Sequence, residues 1–108
     1  MDILENPIPG IQNAKHNGVL LFSSHALTRM MERSIRVDQI EQALNCSEVE
    51  IIENYPQIGR PSPDCLILGK DYGGLYMHMV VTYPVTEVIN AYEPTPPKWI
   101  TPRKRGER

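Results

Sequence analysis

Three apolar, β-rich runs stand almost end to end between Cys65 and Tyr92: CLILG, LYMHMVVTY and VTEVINAY, separated only by KDYGG and Pro84. A parallel crossover needs about a dozen residues or more. These runs are joined too tightly for that, so they must reverse and pair antiparallel. EVEIIE, residues 48 to 53, has the same strand character, and the proline-rich YPQIGRPSPD after Asn54 reads as the loop joining it to the others. LYMHMVVTY, long and partly β-branched, is the expected central strand.

Helical spacing precedes the strands. In SSHALTRMMERS, Ser23 or Ser24 suits the N-cap. Ala26, Leu27, Met30 and Met31 then fall in one arc of a helix, and His25, Thr28, Arg29, Glu32 and Arg33 in the opposite arc. Val37, Ile40, Ala43 and Leu44 mark a second helix, with Asp38 in its first turn and Asn45 as its stop. VLLFS reads as a brief strand leading into the first helix. The expected architecture is α+β: two N-terminal helices packed on one face of an antiparallel sheet of about four strands, a two-layer domain. Residues 1 to 20, with Pro7, Pro9, Gly10 and Gly18, read as an irregular arm packed through Ile8 and Ile11. Residues 21 to 100 form the domain, Trp99 pins the end of the chain to the body, and 101 to 108 read as a solvated basic tail.

The chain has 108 residues, 41% of them apolar, enough for one modest core. No apolar run spans a bilayer and no signal peptide opens it, so no membrane contact and a cytoplasmic location are expected. Cys46 and Cys65 form no close-spaced pair and read as small buried hydrophobes. Charge is segregated. Residues 1 to 97 carry six Lys/Arg against twelve Asp/Glu, and 98 to 108 carry five against one. Within the body, 15 to 36 are basic and 38 to 64 acidic. A mildly acidic chain is a poor general nucleic-acid binder, but a local basic patch can still steer a phosphate to one place.

Three groups could carry chemistry. His25, Arg29 and Arg33 recur every four residues, about 5–6 Å apart at Cβ on a helix, and can converge on one oxyanion. They could equally be the wet face of an ordinary helix, with Glu32 pairing its neighbours. His78 sits mid-strand among apolar residues and needs a partner or a site. Tyr92 and Glu93 close the VINAYEP strand, where a phenol and a carboxylate can reach a cleft rim or simply end the strand. There is no Gly-rich phosphate loop, no nucleophile elbow and no carboxylate–histidine set with metal spacing, so neither metal nor cofactor is expected. His, Arg, Tyr and Glu together suit RNA cleavage through the ribose 2′-hydroxyl, which needs an acid, a base and cations.

SSHALTRMMERSIRVDQIEQAL, EIIENYP, GRPSPDCLILG, LYMHMVV, VINAYEP and KW closely resemble a family of small bacterial proteins, domain-of-unknown-function family 4258. The resemblance runs from about Phe22 to beyond Trp99. That family is similar in turn to the RelE and BrnT toxins of toxin–antitoxin pairs, small two-layer α+β ribonucleases that act without metal. The resemblance implies His25, Arg29, His78 and Glu93 as catalytic residues, and Glu32, Arg33 and Tyr92 as substrate-binding ones. It implies RNA as substrate and, as partner, an antitoxin with a zinc finger and a helix-turn-helix. Arg36 departs from it, standing where the family has a small residue capping the second helix. A non-catalytic interaction module, or a small-molecule sensor using a cleft near His78, is the alternative.

Overall fold

Alternation along the strands decides which face meets the helices. The computed structural model describes residues 7–55, 64–83, 86–96 and 98–106. In chain order the elements are α1 (Ile8–His16), β1 (Leu21–Phe22), α2 (Ser24–Glu32), α3 (Val37–Leu44), β2 (Glu50–Tyr55), β3 (Asp64–Lys70), β4 (Tyr76–Thr82), β5 (Glu87–Tyr92), β6 (Trp99–Thr101) and β7 (Lys104–Arg105). The main sheet has the order β1-β5-β4-β3-β2, with β4 central. β2 to β5 form the antiparallel meander, and β1 adds in parallel to the far end of β5. The proline-rich loop, from 56 to 63, lies outside the described residues.

On β4, Met77, Met79 and Val81 point to the helices, and on β3 so do Cys65 and Ile67. They meet Ala26 and Met30 of α2 and Ile40, Ala43 and Leu44 of α3. In β5 the register shifts between Val88 and Asn90. This bulge lets both Val88 and Ala91 reach the helix side, and it leaves Tyr92 across from His78. Burial pushes the Cys65 thiol up to about 12, with the Asp64 carboxylate adding to it, so the thiol is an inert core group. Both cysteines are free.

Four expectations need correction. The described residues contain three helices, because residues 8–16 form α1 and not an irregular arm. Pro7 is its N-cap and Pro9 falls in its first turn, where backbone N–H groups have no helical acceptor and proline costs nothing. Ile8, Ile11 and Ala14 bury one face of α1, and Gln12 Nε2 donates to the Leu44 carbonyl at 3.1 Å. Gly18, at φ 73°, ends the helix in the left-handed region. Second, the main sheet has five strands, not about four. Third, the basic tail is not simply solvated: β6 and β7 form a hairpin through Arg105. Arg103 Nε donates to Glu50 at 2.8 and 3.1 Å, and Arg105 forms a two-pronged pair with Glu53 at 2.6 and 2.8 Å. Fourth, the hairpin covers part of the sheet face opposite the helices, so the two layers gain a partial third around His78. Trp99, 2% exposed, does pin this segment to the body.

The Arg36 departure is harmless to α3. Its guanidinium cannot accept a bond, yet its backbone N–H donates to Gln39 Oε1 at 2.8 Å, half of a capping box. Among the described residues no helix is long and apolar enough to cross a membrane.

Candidate functional site

β5 ends at Tyr92, paired with His78, while β4 continues back to Tyr76. Met77 is therefore paired only on its β3 side, with Gly69. The uncovered edge opens a cleft of about 600 Å³. Ile35, Leu75 and Met77 give it an apolar floor. Gln39 forms one wall, held by the Arg36 N–H and by its own bond from Nε2 to Asp71 at 3.0 Å. That bond is the main reason the Asp71 carboxyl sits below its ordinary value.

The opposite wall is polar and positively charged. Arg33, the C-cap of α2, donates from one terminal nitrogen to the Ala91 carbonyl at 2.8 Å and to Asn90 Oδ1 at 3.1 Å. This anchors the guanidinium at the end of β5 and leaves its other N–H groups for a ligand. Its carbon lies 5.9 Å from the Tyr92 ring centroid, and Lys98 Nζ lies 5.8 Å from the same ring. Glu93, Thr95 and Asn90 complete the rim. Ser34, also on the rim, has φ 58°. It is the left-handed residue that stops α2, with Ile35 N–H returning to the Met30 carbonyl at 2.8 Å.

Behind Tyr92 lies His78, 0% exposed. Its Nε2 is 2.6 Å from the Pro102 carbonyl and its Nδ1 is 3.3 Å from the Tyr92 hydroxyl. Its ring is held edge-on by Trp99 at 4.4 Å and Tyr92 at 5.3 Å. Burial lowers the His78 pKa; the Pro102 hydrogen bond and Glu53 oppose this, and Arg105 and Lys98 reinforce it. Burial also raises the Tyr92 phenol, against the pull of Trp99, Arg105 and Arg33. The Trp99 indole N–H stands close enough to the phenol to influence it but outside hydrogen-bond geometry, and it is a buried donor without a partner.

Of the residues nominated from sequence, Arg33, Tyr92 and Glu93 share the cleft, and His78 backs it. His25, Arg29 and Glu32 are exposed along α2 and do not line it. Arg29 is paired with Glu32 at 3.0 Å. The spacing put these groups on one helix face correctly, but only the C-terminal end of that face meets the end of β5. Lys98, Asn90 and Gln39 were not nominated. Asn90 had a signal, a polar residue alternating with Tyr92 in an apolar strand; Lys98 had none beyond its place beside Trp99. Among the described residues, no three His, Cys, Asp or Glu side chains gather as a metal site.

A family model, Domain of unknown function (DUF4258), matches residues 22–93. The matched span runs from β1 to just past β5 and includes Arg33, His78, Tyr92 and Glu93, while α1, Lys98 and Trp99 lie outside it. No curated protein and no solved structure matches the chain.

Proposed function

The chain belongs to this family of unknown function, and from its cleft we propose a toxin-like endoribonuclease that works without metal. The observation that carries the reading is the pair of cations, Arg33 and Lys98, near the ring of Tyr92 in one cleft with Glu93. Cleavage through the 2′-hydroxyl forms a P–O2′ bond and breaks P–O5′. It needs an acceptor for the hydroxyl proton, a donor for the leaving oxygen and positive charge at phosphorus. Glu93 is the acceptor, the Lys98 ammonium the donor, and the Arg33 fork binds the phosphoryl oxygens. The apolar floor seats a base or ribose. The RelE and BrnT likeness noted in the sequence points to the same chemistry.

The test is cleavage of a short RNA with chelator present, scored by the cyclic phosphate left on the 5′ fragment. Arg33→Ala and Lys98→Met should each slow it by about a hundredfold. Equal background from wild type and both variants would sink the reading. Expressed alone in a bacterium, the chain should arrest growth, and the neighbouring gene product should relieve it.

A second reading, a non-catalytic interaction module, is favoured by one observation. Met31 is 81% and Leu27 42% exposed on α2, beside exposed His25 and Arg29. A protein partner such as an antitoxin would cover this face. If that is the whole function, Arg29→Glu and Met31→Asp abolish partner binding while Lys98→Met changes nothing.

A further inference from the structure

Resting on the phosphodiester reading of the cleft, we infer that Tyr92 presents a hydrogen-bond acceptor to the ligand, so that the site selects a phosphate ester with a hydroxyl beside it: a ribonucleotide over a deoxyribonucleotide. His78 is the positioning residue that enforces this.

The Pro102 carbonyl, 2.6 Å from His78 Nε2, can only accept, so Nε2 carries the hydrogen. In the neutral ring Nδ1 is then bare and can only accept in its turn. The Tyr92 hydroxyl, 3.3 Å away, must donate to it. A phenol has a single proton, and this bond uses it. The buried Trp99 N–H makes no hydrogen bond and so leaves the phenol's lone pairs to the ligand. Whatever approaches Tyr92 from the cleft therefore has to bring a donor of its own.

The ring cannot easily turn over to change these roles. It is fully buried and clamped edge-on between Trp99 and Tyr92. Burial also opposes the imidazolium that would place a proton on Nδ1. Both cations lie over the same phenol ring, Arg33 at 5.9 Å and Lys98 at 5.8 Å from its centroid. The preferred ligand thus carries an anion and a donor close together. A ribose 2′-hydroxyl next to a 3′-phosphate has that pairing, and deoxyribose keeps the anion but lacks the donor.

The experiment is titration of the full chain with adenosine 3′-monophosphate and with 2′-deoxyadenosine 3′-monophosphate. Wild type should bind the ribonucleotide about three- to tenfold more tightly, the worth of one hydrogen bond. Tyr92→Phe should bring the ratio to one. In His78→Leu the freed phenol proton can turn into the cleft and donate to the 2′-hydroxyl, which accepts as well as donates, so the ribonucleotide preference should persist; 2′-O-methyladenosine 3′-monophosphate, an acceptor alone, should bind this variant better than wild type. His78→Gln should restore rejection of the methyl ether, because its amide can donate to Pro102 and accept from Tyr92, and equal binding of the methyl ether by wild type and His78→Leu overturns the role given to His78. Equal binding of both nucleotides by wild type overturns the inference and leaves the phosphate site standing; binding of neither overturns both. Nitrogen-15 NMR of wild-type His78 reads the tautomer without any substitution. A bare Nδ1 and protonated Nε2 are expected, and the opposite tautomer overturns the inference.

Discussion

Gly69 and Ser34 make opposite demands of the same small change. At Gly69 the backbone of α3 lies against β3, and a Cβ there would run into the Ala43 carbonyl. Because the obstacle is helix backbone, α3 has to lift off the sheet to admit a methyl group. Gly69→Ala should destabilise the fold by about 1–3 kcal/mol. Ser34 is the reverse case, a side chain holding a left-handed φ of 58° at the end of α2. Relief of that strain makes Ser34→Gly stabilising by roughly 1 kcal/mol. Urea unfolding of the two variants checks both signs. Ser34→Gly unfolding at lower urea than wild type would mean that its hydroxyl contributes more than its backbone costs. Ser34 also lines the cleft, so its strain is stored where Arg33 leaves the helix to meet β5.

At the scale of elements, the C-terminal hairpin is joined to the sheet by two kinds of contact. Arg103–Glu50 and Arg105–Glu53 are partly solvent-exposed pairs, each worth about 1 kcal/mol or less. Trp99 is buried against His78, with the Arg105 guanidinium 4.8 Å from its ring. Trp99→Ala should therefore cost about 3–5 kcal/mol, while Arg103→Gln should shift the thermal midpoint only slightly and added salt should do little more. Comparable losses from both substitutions would show that the ion pairs, and not the indole, hold the hairpin. This division also explains what could be read from sequence. Periodicity exposed α3 and the meander because burial enforces it, and α2 through Ala26 and Met30, although Leu27 and Met31 of the same arc stay exposed. The acidic stretch 38 to 64 and the basic tail were each visible, but charge carries no address, and only the fold brings Glu50 to Arg103 and Glu53 to Arg105. α1 was hidden because Pro7 and Pro9 mean a loop almost everywhere except a first helical turn. The cleft was legible where a strand or helix end carries it, at Arg33, Tyr92 and Glu93. It was illegible at Lys98, whose position depends on how the chain turns after β5. His25 and Arg29 share a helix face with Arg33, but spacing cannot say which end of a helix meets the sheet.

For the molecule as a whole, His78 ties stability to pH at the point where core, cleft and hairpin meet. Its folded pKa is lowered below the ordinary 6.5, chiefly by burial. The unfolded chain therefore binds the proton more readily than the folded one. The stability this confers is complete above the ordinary histidine range and is lost as pH falls through the folded value. The groups facing the ring set how far that window extends: Glu53 pulls the folded value up, while Arg105 and Lys98 push it down. Asp71, also lowered, loses its contribution only at more acid pH, below its ordinary 3.8, and it is exposed enough for that contribution to be small. The two are thus separable. The unfolding free energy from urea titrations should begin to fall as pH drops below the ordinary histidine value of 6.5, by at most one proton's worth per pH unit, and His78→Gln should flatten that decline. The same protonation places hydrogens on both ring nitrogens, so Tyr92 would have to accept from Nδ1 and turn its own proton toward the cleft. Discrimination against the acceptor-only 2′-O-methyl nucleotide should then weaken over the same pH interval in which stability declines. Discrimination unchanged while the midpoint falls would separate His78 from the cleft and reduce it to a core residue.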